Sequence, residues 1–168
     1  MKKTGLFYGA STKKTALIGK EIQEAFGPDK AEVIAVEEAT KEEFERYDNL
    51  IVGASTWFDG ELPTYWDELL PDLEGMKFKG KKVAIFGLGD QEGYPENFVD
   101  GIGLLAEFFE SLGAEIVGFT STEGYTFEGS KAIRDGKFLG LAIDQENQAD
   151  KTPERIAEWV KQLKKAFA

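Results

Sequence analysis

Residues 50–54 read LIVGA, so both faces of a strand built from them would be apolar. A strand of this kind is typical of the centre of a parallel sheet, where helices cover both sides. A second apolar run, KVAIF, occupies residues 82–86. Each run leads into a loop that carries glycine, acidic residues and one large aromatic residue, Trp57 or Tyr94. Because ligands of such sheets bind outside the carboxyl ends of the strands, we predict that Trp57 and Tyr94 clamp a flat ring.

Apolar strand patterns alternate with helical patterns along the rest of the chain, which is typical of an α/β fold with a doubly wound parallel sheet. We predict strands at residues 5–8, 32–36, 50–54, 82–86 and 115–119, and helices at 15–26, 41–46, 63–70, 98–112 and from 152 onward. Gly113 is predicted to end the fourth helix. Thr152 is predicted to be the N-cap of the last helix, with Pro153 at its first turn.

Residues 120–139 interrupt this alternation, because they are rich in glycine, serine and threonine. A second apolar piece, residues 140–143, follows them. We interpret the segment as an excursion that splits the last strand and contributes short extra strands. The whole chain, residues 1–168, is predicted to form one domain.

Composition excludes several classes of chemistry. The 168 residues include no cysteine and no histidine, so no disulfide framework, thiolate nucleophile or histidine base is present. A carboxylate metal site stays possible, although no loop has calcium-loop spacing. The formal net charge of −11 predicts repulsion of nucleic acid and attraction of basic protein partners. Alternatively, the acidity only keeps the protein in solution.

The chain shows no pattern of membrane insertion or secretion. No apolar stretch approaches the roughly 20 residues that span a bilayer. The first residues, MKKT, run directly into the first strand and lack the apolar core of a secretory signal. These patterns predict a cytoplasmic protein that binds no membrane.

Residues 9–15, GASTKKT, lie between the first predicted strand and the first predicted helix. A turn of this kind concentrates free backbone N–H groups at the positive end of a helix dipole, which suits a phosphate. Alternatively, Ser11 or Thr12 only caps the helix. The spacing matches neither a Walker A loop nor the dinucleotide fingerprint.

These segments together resemble the flavodoxins, and specifically their long-chain group, over essentially the whole chain. The resemblance rests on GLFYG at 5–9, TW at 56–57, GEL at 60–62, GDQ at 89–91, GYPENF at 93–98, STEGY at 121–125 and GKF at 136–138, running on to Asp144. It implies a five-stranded parallel sheet in the order 2-1-3-4-5. It also implies flavin mononucleotide (FMN) at the point where strand order reverses, a rule for which flavodoxins are a standard example.

The resemblance also implies a role for individual residues. The phosphate would be held by Ala10, Ser11, Thr12, Lys13, Lys14 and Thr15. Trp57 and Tyr94 would stack on the two faces of the flavin ring, and Asp90 would accept a hydrogen bond from its pyrimidine edge. Further ring contacts would come from Thr56, Phe58, Asp59, Gly60, Leu88, Gly89 and Asn97. Asp144 would reach the ribityl chain through water.

The chain departs from the family pattern at three places. Ala10 stands where the family usually has a serine or threonine, so one hydroxyl is missing. Lys13 stands where the family usually has glycine. A positive φ there would cost a lysine roughly 1 kcal/mol or more; alternatively, the backbone contacts survive and Lys13 or Lys14 adds attraction to the phosphate. Residues 58–59, Phe-Asp, replace the peptide that meets flavin N5.

The function implied is a low-potential, one-electron carrier without substrate turnover, in which FMN passes between oxidised, semiquinone and hydroquinone forms. Its transient partners would be basic-surfaced redox proteins such as ferredoxin/flavodoxin-NADP reductase, photosystem I, nitrogenase or pyruvate oxidoreductase, and it would be a monomer. An FMN-dependent NAD(P)H quinone reductase on the same scaffold is the alternative, although aromatic residues on both ring faces would leave little room for its substrates. A protein that has lost its flavin is a further alternative. A receiver domain is excluded, because Ser55-Thr56 replaces the aspartate that it requires.

Overall fold

A parallel sheet forms the centre of the computed structural model, which describes residues 3–168 apart from the side chain of Phe58. Its strands are β1 (Thr4–Tyr8), β2 (Ala31–Ala35), β3 (Asn49–Ser55), β4 (Lys82–Leu88) and β5 (Glu115–Val117). They lie in the order β2-β1-β3-β4-β5, which confirms the predicted doubly wound, flavodoxin-like sheet. The apolar run at residues 50–54 is buried throughout, as expected for a strand with a neighbour on each side.

Helices cover both faces of the sheet. They are α1 (Lys13–Phe26), α2 (Lys41–Glu45), α3 (Thr64–Leu73), α4 (Asp100–Ser111) and α5 (Thr152–Ala166). Apolar residues of α1 and α5, including Ile22 and Trp159, pack with Leu6 on one face. Side chains from α2, α3 and α4, including Trp66 and Phe109, pack on the other face. This arrangement leaves the carboxyl ends of the strands open for loops.

The excursion predicted in the last strand is present. It contains three short antiparallel strands, β6 (Thr120–Ser121), β7 (Ile133–Arg134) and β8 (Lys137–Phe138), in the order β6-β8-β7. A two-residue turn joins β7 to β8, and its residues Asp135 and Gly136 have φ angles of 52° and 77°. Positive φ at both positions is the geometry of a type I′ hairpin, which favours an Asp-Gly pair.

The chain then returns to the main sheet as β9 (Leu141–Ile143), which runs parallel to β4. Strand β5 pairs with residues 82–84 of β4, and β9 pairs with residues 86–88. The fifth position of the sheet is therefore filled by two separate pieces of chain.

Several helix boundaries differ from the predictions by one to three residues, and three of these differences have a clear physical reason. Helix α3 continues through Pro71 to the fully buried Leu73, because burial of that side chain offsets the hydrogen bond that proline cannot donate. Helix α4 begins at Asp100 because the Phe98 N–H bonds to Gly129 O, 3.1 Å away. Thr152 lies inside α5, and its hydroxyl donates to Gln145 Oε1 at 2.5 Å instead of capping the helix.

Two searches of residues 3–168 were negative. No helix among them is both long enough and apolar enough to span a bilayer. No group of three or more acidic side chains in that range has a geometry that could hold a metal ion.

Candidate functional site

A cleft opens at the carboxyl ends of β1, β3 and β4. Three segments surround it, which we name the 10s loop (residues 9–15), the 50s loop (residues 56–63) and the 90s loop (residues 89–97). One part of the cleft, with a volume of about 340 Å³, is lined by Thr56, Trp57, Asp59, Gly60, Gly89, Asp90, Tyr94 and Asn97. An adjoining part of about 380 Å³ shares five of these residues and extends to Thr12, Lys13, Lys14, Thr15 and Leu88. The cleft therefore joins the predicted ring site to the predicted anion site.

The two aromatic residues predicted to clamp a ring both line the cleft and are unusually exposed. Trp57 is 39% exposed and Tyr94 is 61% exposed. The Trp57 backbone is held by paired hydrogen bonds with Glu61, at 2.7 and 3.0 Å. Its indole contacts the ring of Tyr65 edge-on, with centroids 6.2 Å apart. Large exposed aromatic surface in a concave site is typical of a binding site.

The 50s loop turns sharply beneath Trp57. Residues Phe58–Gly60 form a short 3-10 turn in which Asp59 has a φ of 54°. The Gly60 N–H donates to Trp57 O at 3.1 Å. This turn directs Asp59 and Gly60 toward the cleft, which both residues line.

The 90s loop presents a carboxylate to the cleft. Asp90 accepts hydrogen bonds from the N–H groups of Gly93 and Glu92, at 2.8 and 3.2 Å, and from Asn147 Nδ2 at 2.8 Å. The bond from Gly93 lowers the pKa of Asp90 most, and Asn147 lowers it further. Asp90 is therefore an anion at neutral pH, with acceptor capacity left for a ligand N–H.

The 10s loop leads directly into α1. Thr12 occupies the N-cap position, but its side chain makes no capping hydrogen bond. The hydroxyl of Thr15 is completely buried and has no hydrogen-bond partner within residues 3–168. Both residues line the cleft. Since buried polar groups in native proteins are normally paired, these hydroxyls favour an anion site over a simple helix cap.

Lys13 adopts the α-helical conformation as the first residue of α1, and its φ is not positive. The strain considered for a lysine at this position is therefore absent. Lys13 and Lys14 both line the cleft, and Lys14 forms an ion pair with Glu146. Positive charge at the start of the helix adds to the attraction that the backbone N–H groups exert on an anion.

A family model described as Flavodoxin matches residues 6–159. This chain belongs to the flavodoxin family. It is 50% identical over 169 residues to a flavodoxin of Trichodesmium erythraeum, covering 99% of each chain. It is 46% identical over 161 residues to flavodoxin 1 of Escherichia coli, covering 95% of this chain and 92% of the relative.

Solved flavodoxin structures agree with this assignment. A crystal structure of Fusobacterium nucleatum flavodoxin bound to flavin mononucleotide superposes with a TM-score of 0.94 at 40% identity, covering 99% of each chain. A K13G mutant of that flavodoxin, also bound to flavin mononucleotide, superposes with the same score and covers 97% of the relative.

Among the residues predicted for the site of this flavodoxin, the side chain of Phe58 lies outside the described part of the structure. Three others, Ala10, Ser11 and Asp144, do not line the two parts of the cleft. The backbone N–H groups of Ala10 and Ser11 donate to Glu37 Oε1 and Oε2, at 3.0 and 2.7 Å. Asp144 is fully buried, and its carboxylate faces Gln91 and Asn147. Gln145 and Glu146 line the cleft in that region.

Glu37 was not predicted as part of the site. Partial burial alone would raise the pKa of Glu37, but the bonds from Ser11 and Ala10 outweigh that effect and lower it. The signal that could have identified it is topological, because β2 lies beside β1 and the residues after both strands adjoin. Ser55 was missed as well, although it lies at the end of β3 and its buried hydroxyl has no partner among the described residues.

Proposed function

We propose that this flavodoxin binds FMN in the cleft and carries single electrons between larger redox proteins. The observation that carries the proposal is the pairing of two unlike subsites in one continuous cleft. One subsite has the exposed aromatic side chains of Trp57 and Tyr94. The other has the unpaired, buried hydroxyl of Thr15 at the N-terminus of α1. A flat ring joined to a phosphate is the ligand that uses both.

The residues present fit the phosphate end of FMN. The backbone N–H groups at the start of α1 have no partners within the helix. The Thr15 hydroxyl has no partner among the described residues, and the Thr12 side chain does not cap the helix. A phosphate oxygen would accept a hydrogen bond from the Thr15 hydroxyl. Leaving this buried hydroxyl unpaired costs about 1–3 kcal/mol. Ala10 contributes no hydroxyl, and its N–H is directed at Glu37. The phosphate would therefore be held chiefly by residues 12–15.

The residues present also fit the ring end. Trp57 and Tyr94 would cover the ring faces, and the Asp90 carboxylate would accept a hydrogen bond from a ring N–H. Thr56, Gly60, Gly89 and Asn97 line the same space. FMN supplies the redox chemistry when it is bound.

Four acidic residues, Asp59, Glu61, Asp90 and Glu92, belong to the two loops that would surround the ring. Each partly exposed carboxylate that lies close to the ring would repel negative charge added to the ring on reduction, at a cost of about 1–4 kcal/mol. About 1.4 kcal/mol corresponds to roughly 59 mV for one electron. We therefore infer that these carboxylates lower the potential at which the protein accepts an electron.

The proposed partners carry basic surfaces, because the net charge of −11 would steer encounter with them. We expect small, short-lived complexes, as electron carriers must dissociate after transfer. We also propose that the protein acts as a cytoplasmic monomer without substrate turnover of its own.

The test is to purify the protein, record its visible spectrum, identify any released cofactor by mass, and then reduce it stepwise. We expect a yellow protein that releases FMN and takes up electrons in two separate one-electron steps. A colourless protein that also fails to bind added FMN would contradict the proposal. Rapid oxidation of NAD(P)H with a quinone, without any added reductase, would instead favour the quinone reductase.

A further inference from the structure

The protein binds the Asp90 carboxylate through one oxygen. Among the described residues, the N–H groups of Glu92 and Gly93 and the amide of Asn147 all donate to Oδ1. Each carboxylate oxygen offers about two lone-pair sites, so three donors saturate Oδ1. The other oxygen, Oδ2, lies close to Gly93, where an added Cβ atom would be only 2.5 Å from it. Because Asp90 lines the cleft, Oδ2 is the acceptor that is left for a ligand.

Asn147 reaches Asp90 from the second piece of the divided fifth position of the sheet. Strand β9 pairs with residues 86–88 of β4, and the Gly89 N–H donates to Ile143 O at 3.0 Å. The chain segments that follow the two strands therefore leave the sheet side by side. In the segment after β9, Asn147 lies in a turn and places its Nδ2 atom 2.8 Å from Asp90 Oδ1.

The turn that carries Asn147 is itself held by a buried carboxylate. The Asn147 backbone N–H donates to Asp144 Oδ1 at 3.0 Å, and its Nδ2 atom donates to Asp144 Oδ2 at 2.9 Å. Asp144 is fully buried and also accepts bonds from Gln91. One amide group thus joins the carboxylates of Asp90 and Asp144, with one hydrogen for each. A neutral double donor suits this position, because a further negative charge would be repelled by both carboxylates.

Asn147 is the one donor to Asp90, among the described residues, that comes from another element of the fold. Glu92 and Gly93 belong to the same loop as Asp90, so their N–H groups move with it. Lys14 of α1 attracts the carboxylate from a greater distance and is the weakest influence on the pKa of Asp90. A lysine amine is a flexible point charge, and this one also pairs with Glu146. The orientation of Asp90 relative to the sheet therefore depends on Asn147.

We propose that Asn147 is a positioning residue that occupies Asp90 Oδ1 and so leaves Oδ2 to accept the imide N–H of the flavin ring. Selection of a ring with a free imide N–H then depends on the segment after β9, which contributes neither of the aromatic residues predicted to stack. Without the Asn147 amide, the Asp90 carboxylate could rotate with its own loop and lose this direction. The inference rests on the proposed function, because it concerns the same FMN site.

The test compares FMN with 3-methyl-FMN, in which a methyl group replaces the imide hydrogen. The full-length apoprotein is titrated with each compound by quenching of flavin fluorescence. We expect wild type to bind 3-methyl-FMN about thirtyfold more weakly than FMN, as for loss of a hydrogen bond to a charged group. In Asn147→Ala this ratio of Kd values should fall about fivefold. In an Asp90→Ala background, Asn147→Ala should not change the ratio further, because Asn147 acts through Asp90.

A second measurement uses the apoprotein without flavin. The pKa of Asp90, followed by carboxyl ¹³C NMR, lies below its ordinary value of 3.8 in wild type, through the bonds from Gly93 and then Asn147. It should rise toward 3.8 in Asn147→Ala. It should rise further in Asn147→Asp, which keeps the shape of the side chain but replaces a donor by a like charge.

Gln148→Ala is the matched control. It removes the neighbouring side-chain amide, whose Nε2 atom donates to Gly124 O of the excursion at 2.8 Å. The Kd ratio between 3-methyl-FMN and FMN should stay within about twofold of wild type, and the pKa of Asp90 should not change. An equal fall of the ratio in Gln148→Ala and Asn147→Ala would overturn the inference, because general loosening of the turn would then explain both.

Failure of this inference can be separated from failure of the proposed function. If wild type binds neither flavin, the proposed function fails and this inference fails with it. If wild type binds FMN but Asn147→Ala keeps the Kd ratio, only the present inference is overturned, whether or not the pKa of Asp90 changes. A lower ratio together with a raised pKa of Asp90 would support it.

Discussion

The carboxylate of Asp144 accepts hydrogen bonds from both the backbone and the side chain of Gln91, at 3.1 and 2.7 Å. Asp144 follows β9, whereas Gln91 belongs to the 90s loop. The Gln91 side chain also accepts a bond from the N–H of Thr126 in the excursion, at 2.7 Å. A single buried network therefore connects the end of the sheet, the excursion and the loop that carries Asp90 and Tyr94.

Replacement of Asp144 by asparagine should destabilise the protein by about 1–3 kcal/mol. The amide group of asparagine would face donors from Gln91 and Asn147, leaving buried donors without acceptors. Urea unfolding followed by circular dichroism would measure the loss. Asp150→Asn, at an exposed position in the same region, is the matched control and should change stability by less than about 0.5 kcal/mol. Equal effects of the two substitutions would contradict the role of the network.

Truncation of Trp57 to alanine should weaken the binding of FMN and of riboflavin by the same factor, about ten- to a hundredfold. The expected loss corresponds to about 1–3 kcal/mol of ring stacking, the range measured for bases on aromatic side chains. Fluorescence titration would measure both affinities. Leu17→Ala changes another exposed apolar residue, on α1, and should leave both affinities unchanged. A loss confined to FMN would show that Trp57 acts at the phosphate end.

The stabilising effect of Glu37 should disappear at low pH. Its pKa in the folded protein lies below the ordinary value of 4.5, so its contribution is fully present above pH 4.5 and is lost as the pH falls through the lower, folded value. We expect wild type to exceed Glu37→Gln in free energy of unfolding by ~1 kcal/mol or less at pH 7, since the site is exposed. The difference should shrink toward pH 3. Unfolding curves across this range would measure it, and a constant difference would contradict the assignment.

The excursion should be anchored to α4 by a pair of parallel hydrogen bonds. Arg134 donates from Nη1 and Nη2 to the two carboxylate oxygens of Glu110, at 2.8 and 2.7 Å. A double-mutant cycle with Arg134→Gln and Glu110→Gln should give a coupling free energy of about 0.5–1 kcal/mol. The coupling should decrease at 1 M salt because the pair is partly exposed. A coupling of zero at low salt would contradict the anchoring role.

The sheet could be predicted closely because its strands are nearly continuous apolar runs. Residues 50–54 and 82–86 are buried in β3 and β4, and each strand extends only one or two residues beyond the predicted bounds. The division of the last strand was also predictable, since a polar, glycine-rich segment separates two apolar pieces. Helix ends were less predictable. Burial of Leu73 and the bond from Phe98 to the excursion are tertiary effects that no local pattern contains.

The cleft residues that directly follow neighbouring strands could be predicted from the sequence, whereas those that reach the cleft from other elements were harder to predict. Trp57, Asp90 and Tyr94 follow strands whose ends meet, so their loops could be paired from the order of the sheet. Glu37 and Tyr65 reach the 10s loop from other elements. No spacing rule connects an acidic residue after β2, or a tyrosine on α3, with a turn that follows β1.

The divided fifth position of the sheet has a practical consequence. Each piece keeps its own register with β4, so the intervening chain can change length without shifting the sheet. Doubling such a loop costs only about 0.6 kcal/mol of closure entropy. The Asp135-Gly136 turn borders open space and contributes nothing to the cleft lining. This turn is therefore a suitable insertion site for an affinity tag or for a peptide that tethers the protein to an electrode, because an insertion there would not alter the cofactor pocket.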